Sequence, residues 1–345
     1  MAPSSLGTVD ADGHVRDEEA RIRAYIAPPF DARLRLGSSP RDGFDNTLGG
    51  TRGTRKVDAA VWLEAMDAGG LETAVLYPTA GLSVGYLGEQ DYAVAWCHAY
   101  NDYLSEEYLK VSPRFKGVAL LPLQVPAEAA KELRRCVGEL GMVGGMLADG
   151  PYLMGKPVYD PIYAEAERLG TMLAVHAGGR LIGGIDEFLF DRFAQVHTLG
   201  HAFSQMKQFT SIVFEGVPEK FPKLRLAFLE AGCGWVAYLL DRMDERYHIR
   251  GEVDAPVLRK TPSEYVADGN IYVSCEAEER LLPETLRLLG EGMVVYASDF
   301  PHWDADYPAN LQHLLGRADL TEEQRIKITS TNARALYALD GAVGD

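Results

Sequence analysis

Apolar residues along the chain fall into short runs of four to six positions, separated by longer stretches in which they recur every three or four residues. A short apolar run bounded by polar or small residues reads as a buried strand, and the 3.6-residue recurrence reads as an amphipathic helix. Eight runs meet the first description: Thr8 to Asp12, Thr73 to Tyr77, Lys116 to Leu121, Val143 to Leu147, Thr171 to Val175, Leu224 to Leu229, Ile271 to Ser274 and Val294 to Ala297. Between them, Val57 to Ala68 carries Val61, Leu63, Ala65 and Met66 and stops at Gly69 and Gly70. Tyr92 to Leu109 closes at Ser112 and Pro113, and Pro126 to Leu140 has proline in its first turn and stops at Gly141. Trp235 to Tyr247, Glu278 to Leu289 and a capped final helix over Thr321 to Leu339 continue the rhythm. Repeated strand-then-helix units imply a parallel sheet, and eight of them predict a single (β/α)₈ TIM barrel with an extra C-terminal helix, one domain over residues 1–345.

Two segments break the rhythm, residues 15–56 after the first strand and 178–196 after the fifth. Both are expected above the C-terminal rim, where βα loops build barrel active sites, and to form an apolar lid that excludes water.

Composition narrows the class. Lys plus Arg number 34 against 50 Asp plus Glu, so 34 − 50 gives a net charge of −16. An acidic surface repels nucleic acid and anionic membranes, so neither is an expected partner. At 47% hydrophobic and 24% charged the chain matches an ordinary globular protein. Cys97, Cys136, Cys233 and Cys275 lie far apart without a CxxC pair, which argues against a zinc knuckle or disulfide scaffold and suits a reducing cytoplasm. No secretory leader and no membrane span is expected from the apolar pattern. Glycine pairs occur without GxGxxG or a P-loop lysine, and no flavin, haem or nicotinamide motif is present.

The informative feature is where the metal-competent side chains fall. The first strand ends in Asp12-Gly13-His14, the fifth in His176, the sixth in Glu230, the seventh just before Glu276, and the eighth in Asp299 followed by Pro301-His302. Singly, each has an ordinary explanation as a packed histidine or a helix cap. Jointly, residues at the C-terminal ends of different strands converge on one axial pocket and point to a metal site. His197 and His201 stand four apart on a helix face, with His201 the additional ligand and His197 a packing residue. Asp17, Glu276 and His302 are read as partners that orient ligands, Glu276 having the alternative role of capping the helix near Glu278. Cys233 and Cys275 lack a paired base and read as inert thiols, while Trp235, Trp303, Phe300 and Tyr77 line either a pocket or the core.

The segments VDADGH, LAVHAGG, KFPKLRLAFLEAGCGWVAYLLDRMD, Thr261-Pro262-Ser263-Glu264-Tyr265 and VVYASDFPHWD resemble, nearly end to end, the amidohydrolase-related branch. That branch includes aminocarboxymuconate semialdehyde decarboxylase and the dihydroxybenzoate decarboxylases. Its pattern has HxH after the first strand, His after the fifth, His after the sixth and Asp after the eighth. Here Asp12 replaces the first His and Glu230 stands at the sixth-strand His, so the site becomes harder and more anionic, suiting iron or manganese better than zinc.

The DGH, EAGCGW and SDFPHWD elements also resemble an amidohydrolase-fold non-heme diiron monooxygenase branch of platensimycin and platencin biosynthesis. That resemblance implies two Fe ions ligated by Asp12, His14, His176, His201, Glu230 and Asp299, with Asp299, Glu230, Glu276 and His302 as the catalytic set. It further implies O₂ as co-substrate, an external electron donor, a diterpenoid-like acid or thioester substrate, and a homodimer. The alternative is a decarboxylase or hydrolase of an aromatic or carboxylic acid or ester, with one Zn or Mn and Asp299 moving the proton. A non-catalytic binding protein is the remaining reading.

Overall fold

The computed structural model describes residues 7–32, 56–148, 150–176 and 192–339. Its centre is an eight-stranded parallel sheet in which strands adjoin in chain order. They are β1 (Thr8–Val15), β2 (Leu71–Pro78), β3 (Phe115–Leu120), β4 (Gly144–Leu147), β5 (Met172–Val175), β6 (Arg225–Phe228), β7 (Ile271–Cys275) and β8 (Val294–Tyr296). Each strand candidate read from the sequence is present. β1 runs on past Asp12 because Gly13, His14 and Val15 pair with Leu76, Tyr77 and Pro78 after a register shift. Its polar ADGH segment hides that extension from any reading of apolar runs.

The seam between β1 and β8 closes just beyond the end of β8. Asp299 N donates to Asp12 O at 3.0 Å and His14 N donates to Phe300 O at 2.7 Å. Strands buried on both faces need no alternation, and one continuous apolar core runs through the barrel and under its helices.

The helical layer follows the sequence where stop and start signals are local. Asp58 caps the helix Ala59–Gly69 by accepting from Val61 N at 3.0 Å, and Gly70 ends it at φ 76°. The helix expected over 278–289 begins only at Leu282, where Pro283 occupies the first turn. The final helix is interrupted: Glu322–Ile326 and Asn332–Tyr337 flank a π-helical turn at Lys327–Thr331. Tertiary demands explain the break, since Ser330 Oγ reaches Gly7 O at 2.8 Å and Asn332 Nδ2 reaches Val294 O at 2.7 Å.

From this extra helix Tyr337 OH donates to Ala11 O at 2.6 Å and lies 2.7 Å from Tyr77 OH, placing a tyrosine pair beneath the C-terminal rim. The helix Phe193–Phe214 begins inside the segment expected to be loop. Most of the two expected lid segments, 33–55 and 177–191, lies outside the described residues. Among the described residues, no helix is long and apolar enough to cross a membrane.

Candidate metal centre

Residues two apart on a strand share a face, so β1 presents Asp12 and His14 together toward the barrel axis. Both are buried, at 1% and 0% exposed, as is His176 at the end of β5 at 1%. Asp12 Oδ1 lies 3.5 Å from His14 Nε2 and 3.4 Å from His176 Nε2. On the other side of His14, its Nε2 is 3.4 Å from Asp299 Oδ1, which is 2.7 Å from His302 Nδ1. Glu230 joins from β6, with Oε2 3.2 Å from His176 Nδ1 and Oε1 3.6 Å from His302 Nδ1. The donors form two groups close enough to hold an ion, Asp12 with His14 and His176, and His14 with Glu230, Asp299 and His302.

The local chemistry suits a cation. His14 Nδ1 lies 3.0 Å from Pro78 O, and a carbonyl only accepts, so Nδ1 carries the proton and Nε2 turns a lone pair toward the carboxylates. Neither Asp12 oxygen nor His14 Nε2 has a hydrogen-bond partner among the described residues. Leaving such groups buried and unpaired costs about 1–3 kcal/mol each, more for charged ones, and a divalent ion would remove that cost.

Glu230 and Asp299 both sit at left-handed backbone angles, φ 61° and 54°, which non-glycine residues adopt only when held there. For Glu230 the hold comes from Ser274 Oγ, which accepts from its N at 2.9 Å, and from His201 Nδ1, which donates to its O at 3.0 Å. For Asp299 it comes from the seam bond to Asp12 O and from His302 N, which donates to Asp299 O at 2.9 Å.

His201 reaches the site from the helix Phe193–Phe214, which Gln205 anchors by donating to Val175 O at 3.1 Å and Leu229 O at 2.7 Å. With Nδ1 engaged by the Glu230 carbonyl, His201 falls in neither donor group. His197 sits at the rim, its Nε2 3.6 Å from Asp304 Oδ2 and its ring centroid 6.1 Å from that of Trp303.

Asp17 does not approach the donors. Its carboxylate accepts from Gly81 N at 2.7 Å and Thr79 N at 3.3 Å, fixing a loop whose Thr79 Oγ1 lies 3.2 Å from His302 Nε2. Glu276 lines the cavity, and the following helix starts too late for it to be the cap. Glu279 serves a neighbouring helix instead, accepting from Cys233 N at 3.0 Å and Gly234 N at 2.6 Å where Trp235–Asp254 begins.

Electrostatics separate the groups. Burial pushes the carboxyls of Asp12 and Asp299 above the usual range and holds His14 well below the usual imidazole range. Burial alone would raise Glu230 too, but His201, His176 and His302 outweigh it and hold that carboxyl far below the ordinary value. His302 goes the other way, well above its usual value, because Asp299 and Glu230 overcome its burial. Desolvation and the nearby Glu279 and Glu230 push Glu276 up to about 7.

Above the donors opens a cavity of about 380 Å³, walled by Leu82, Ala231 and Trp303 and by the acids Glu276, Glu278 and Asp304. Of the four aromatic residues singled out in the sequence, Trp303 lines it, while Tyr77, Phe300 and Trp235 are buried in the core. Cys233 and Cys275 are buried free thiols, pushed upward by burial. Thr79, Gln205 and Ser274 escaped the sequence reading because each acts on a residue far away in the chain and carries no local signature.

A parallel eight-stranded barrel with histidines and carboxylates gathered at its C-terminal rim defines a metal-binding TIM-barrel protein. A family model described as amidohydrolase matches residues 9–339, and the chain belongs to that amidohydrolase family. The chain is 31% identical over 298 residues to the gamma-resorcylate decarboxylase of Rhodococcus jostii, covering 81% of this chain and 87% of that protein. It is 26% identical over 260 residues to the 2-amino-3-carboxymuconate-6-semialdehyde decarboxylase of Dictyostelium discoideum, covering 72% and 69%. Among solved structures, a dihydroxybenzoic acid decarboxylase from Polaromonas sp. JS666, with bound manganese and the inhibitor 2-nitroresorcinol, matches at TM-score 0.73 and 22% identity over 98% of both chains. A 5-carboxyvanillate decarboxylase from Novosphingobium aromaticivorans complexed with manganese matches at TM-score 0.77 and 22% identity over 97% and 96%. These likenesses show a shared fold.

The monooxygenase expectation is thereby corrected. Both relatives just named are decarboxylases, and both of those solved structures hold manganese. Two irons, an O₂ co-substrate, an external electron donor and a diterpenoid-like substrate have no support. In the site, the two donor groups share His14. Exchanging imidazole for carboxylate makes the donors harder, which serves a single manganese as well as iron. The DGH, EAGCGW and SDFPHWD elements mark strand ends that any chemistry on this barrel would use.

Proposed function

We propose that this protein is a divalent-metal-dependent, non-oxidative decarboxylase of a hydroxylated aromatic carboxylic acid. The observation that carries this reading is the buried Asp12–His14–His176 group beside the Asp299–His302 pair, with Asp12, Asp299 and His302 lining one cavity. The similarity to gamma-resorcylate decarboxylases over 81% of the chain supports the substrate class. Asp12, His14, His176 and Asp299 would hold the ion, a mixed oxygen and nitrogen set suited to manganese or zinc. When bound, a divalent cation supplies Lewis-acid polarisation of the substrate's carboxylate and adjacent hydroxyl oxygens.

The chain's own residues must then manage one proton. The ring-to-carboxylate bond breaks, CO₂ leaves, and a C–H bond forms at the same carbon, so the step needs a proton and no oxidant. His302, lining the cavity with Nδ1 2.7 Å from Asp299 Oδ1, is the group placed to deliver that proton, and the Asp299 charge favours its protonated ring. Thr79 at Nε2 fixes the imidazole plane, and Glu230 favours the charged ring. Glu276, across the cavity, is placed to accept a substrate hydroxyl.

The test is anaerobic incubation of the manganese-loaded protein with 2,6-dihydroxybenzoate and its hydroxybenzoate relatives in D₂O. Expected are CO₂ release without O₂ and deuterium at the vacated ring carbon. Hydrolysis of ester analogues with no loss of CO₂ from any of the acids would overturn the reading.

A further inference from the structure

Among the described residues one junction of the barrel lacks a strand ladder, between β1, which carries Asp12 and His14, and β8, which is followed by Asp299 and His302. One side chain bridges it. Asp10, fully buried, accepts from Ser298 N at 2.8 Å and Asp12 N at 3.2 Å through Oδ1, and from Ser298 Oγ at 2.5 Å through Oδ2. Ser298 Oγ in turn accepts from Phe300 N at 3.0 Å. The residues so gripped flank Asp299, the one in the left-handed conformation, on both sides.

The fit is close: a Cβ on Gly13 would stand 2.6 Å from the Trp62 ring and 2.9 Å from Asp10 Oδ2, so the β1 backbone approaches the carboxylate only because position 13 is glycine. Asp10 itself lies in neither donor group and does not line the cavity.

We infer that Asp10, through Ser298, is a positioning residue that sets the spacing between the β1 donors and the β8 donors of the metal site. This rests on the metal-dependent reading above. A carboxylate at this place does what a missing ladder cannot. It fixes the register of two strand ends and holds Asp299 at an angle that its own backbone disfavours. A purely structural latch would stabilise the barrel without altering ligand geometry, and the two roles predict different measurements.

The experiment titrates Mn²⁺ calorimetrically into metal-free wild type, Ser298→Ala, Asp10→Asn and a control, Thr171→Val. The control removes a comparable strand-to-strand bond, Thr171 Oγ1 to Val143 O at 2.8 Å, remote from the site. Titrations run well below each variant's Tm. Expected is Mn²⁺ affinity weakened by about 10- to 100-fold in Ser298→Ala and Asp10→Asn, and Thr171→Val within about twofold of wild type. At saturating metal, kcat falls while KM for the acid stays near wild type. Ser298→Ala decides alone if Asp10→Asn does not fold. Variants that lose only Tm and bind Mn²⁺ as wild type does overturn the positioning role and leave the metal reading standing. Wild type that binds neither Mn²⁺ nor Zn²⁺ overturns both.

Discussion

Two buried ionic clusters in this barrel look alike in composition and differ in energetics. On the outer face of β3, Glu132 sits 9% exposed on the helix Pro126–Gly138 with every oxygen engaged. Its Oε1 accepts from Asn101 at 2.8 Å and Arg135 at 2.7 Å, and its Oε2 from Arg135 at 2.9 Å and His98 at 3.1 Å. Asn101 ties the cluster to the sheet by bonding both O and N of Leu120, at 3.0 and 2.8 Å. Burial would raise the Glu132 carboxyl, yet His98, Arg135 and Asn101 hold it far below the usual range. At the rim, Asp12 is 1% exposed with both oxygens unbonded, and burial prevails. Buried charge is therefore no mark of function by itself. Buried charge that the chain leaves unsatisfied is.

The contrast breaks most sharply in mutation. Asp12→Asn or His14→Ala should lower kcat/KM by about 10⁴-fold, equivalent to about 5.5 kcal/mol, by removing a metal donor. Asp12→Asn should nevertheless leave the metal-free protein at least as resistant to urea as wild type, because a buried unpaired carboxylate is gone. Glu132→Ala should do the reverse. Stripped of its carboxylate, the cluster leaves Arg135 and His98 with Asp102 as their remaining acid, at 2.6 and 3.6 Å, and costs about 3 kcal/mol of stability, with kcat per folded molecule unchanged. A metal-free Asp12→Asn protein that unfolds as readily as Glu132→Ala would erase the distinction.

Metal addition sharpens the same comparison. Mn²⁺ at about 100 times its Kd should stabilise wild type by about 2.7 kcal/mol and Asp12→Asn hardly at all, read as a shift in Tm. Glu132→Gln should respond to Mn²⁺ as wild type does. A Mn²⁺ response that followed the Glu132 cluster would place the metal elsewhere.

The sequence made the barrel legible for a physical reason. Strands buried on both faces are short apolar runs, and eight of them with helices between admit few other arrangements. The strand-end donors Asp12, His14, His176, Glu230 and Asp299 were legible for the same reason, since topology alone brings strand ends together. The grouping of those donors was not: the sharing of His14 between two donor groups is a matter of angstroms, and motif strings carry no distances. Nor could the Thr79, Gln205 and Ser274 contacts be read, because each pairs residues remote in sequence. Asp10 alone left a trace, as the first acid of an alternating D-x-D-x-H run.

The smallest expected effect concerns pH and the satisfied cluster. Glu132 has a depressed folded value, so its contribution is present above its ordinary 4.5 and is lost as pH falls through the folded value. His98 has the opposite sign. The hydrogen bond to Glu132 raises it against burial, so its contribution is complete below the ordinary 6.5 and is lost as pH rises through the raised value. The ring is 47% exposed and solvent screens the pair, which limits the contribution to about 0.5–1 kcal/mol. His98→Gln should therefore be less stable than wild type by about that amount at pH 5.5 and nearly equal to it at pH 9, measured by urea unfolding at both. In a Glu132→Gln background the pH dependence of this gap should shrink, because Asp102 alone is left to favour the imidazolium. A gap of equal size at both pH values would show that His98 acts through packing and not through its charge.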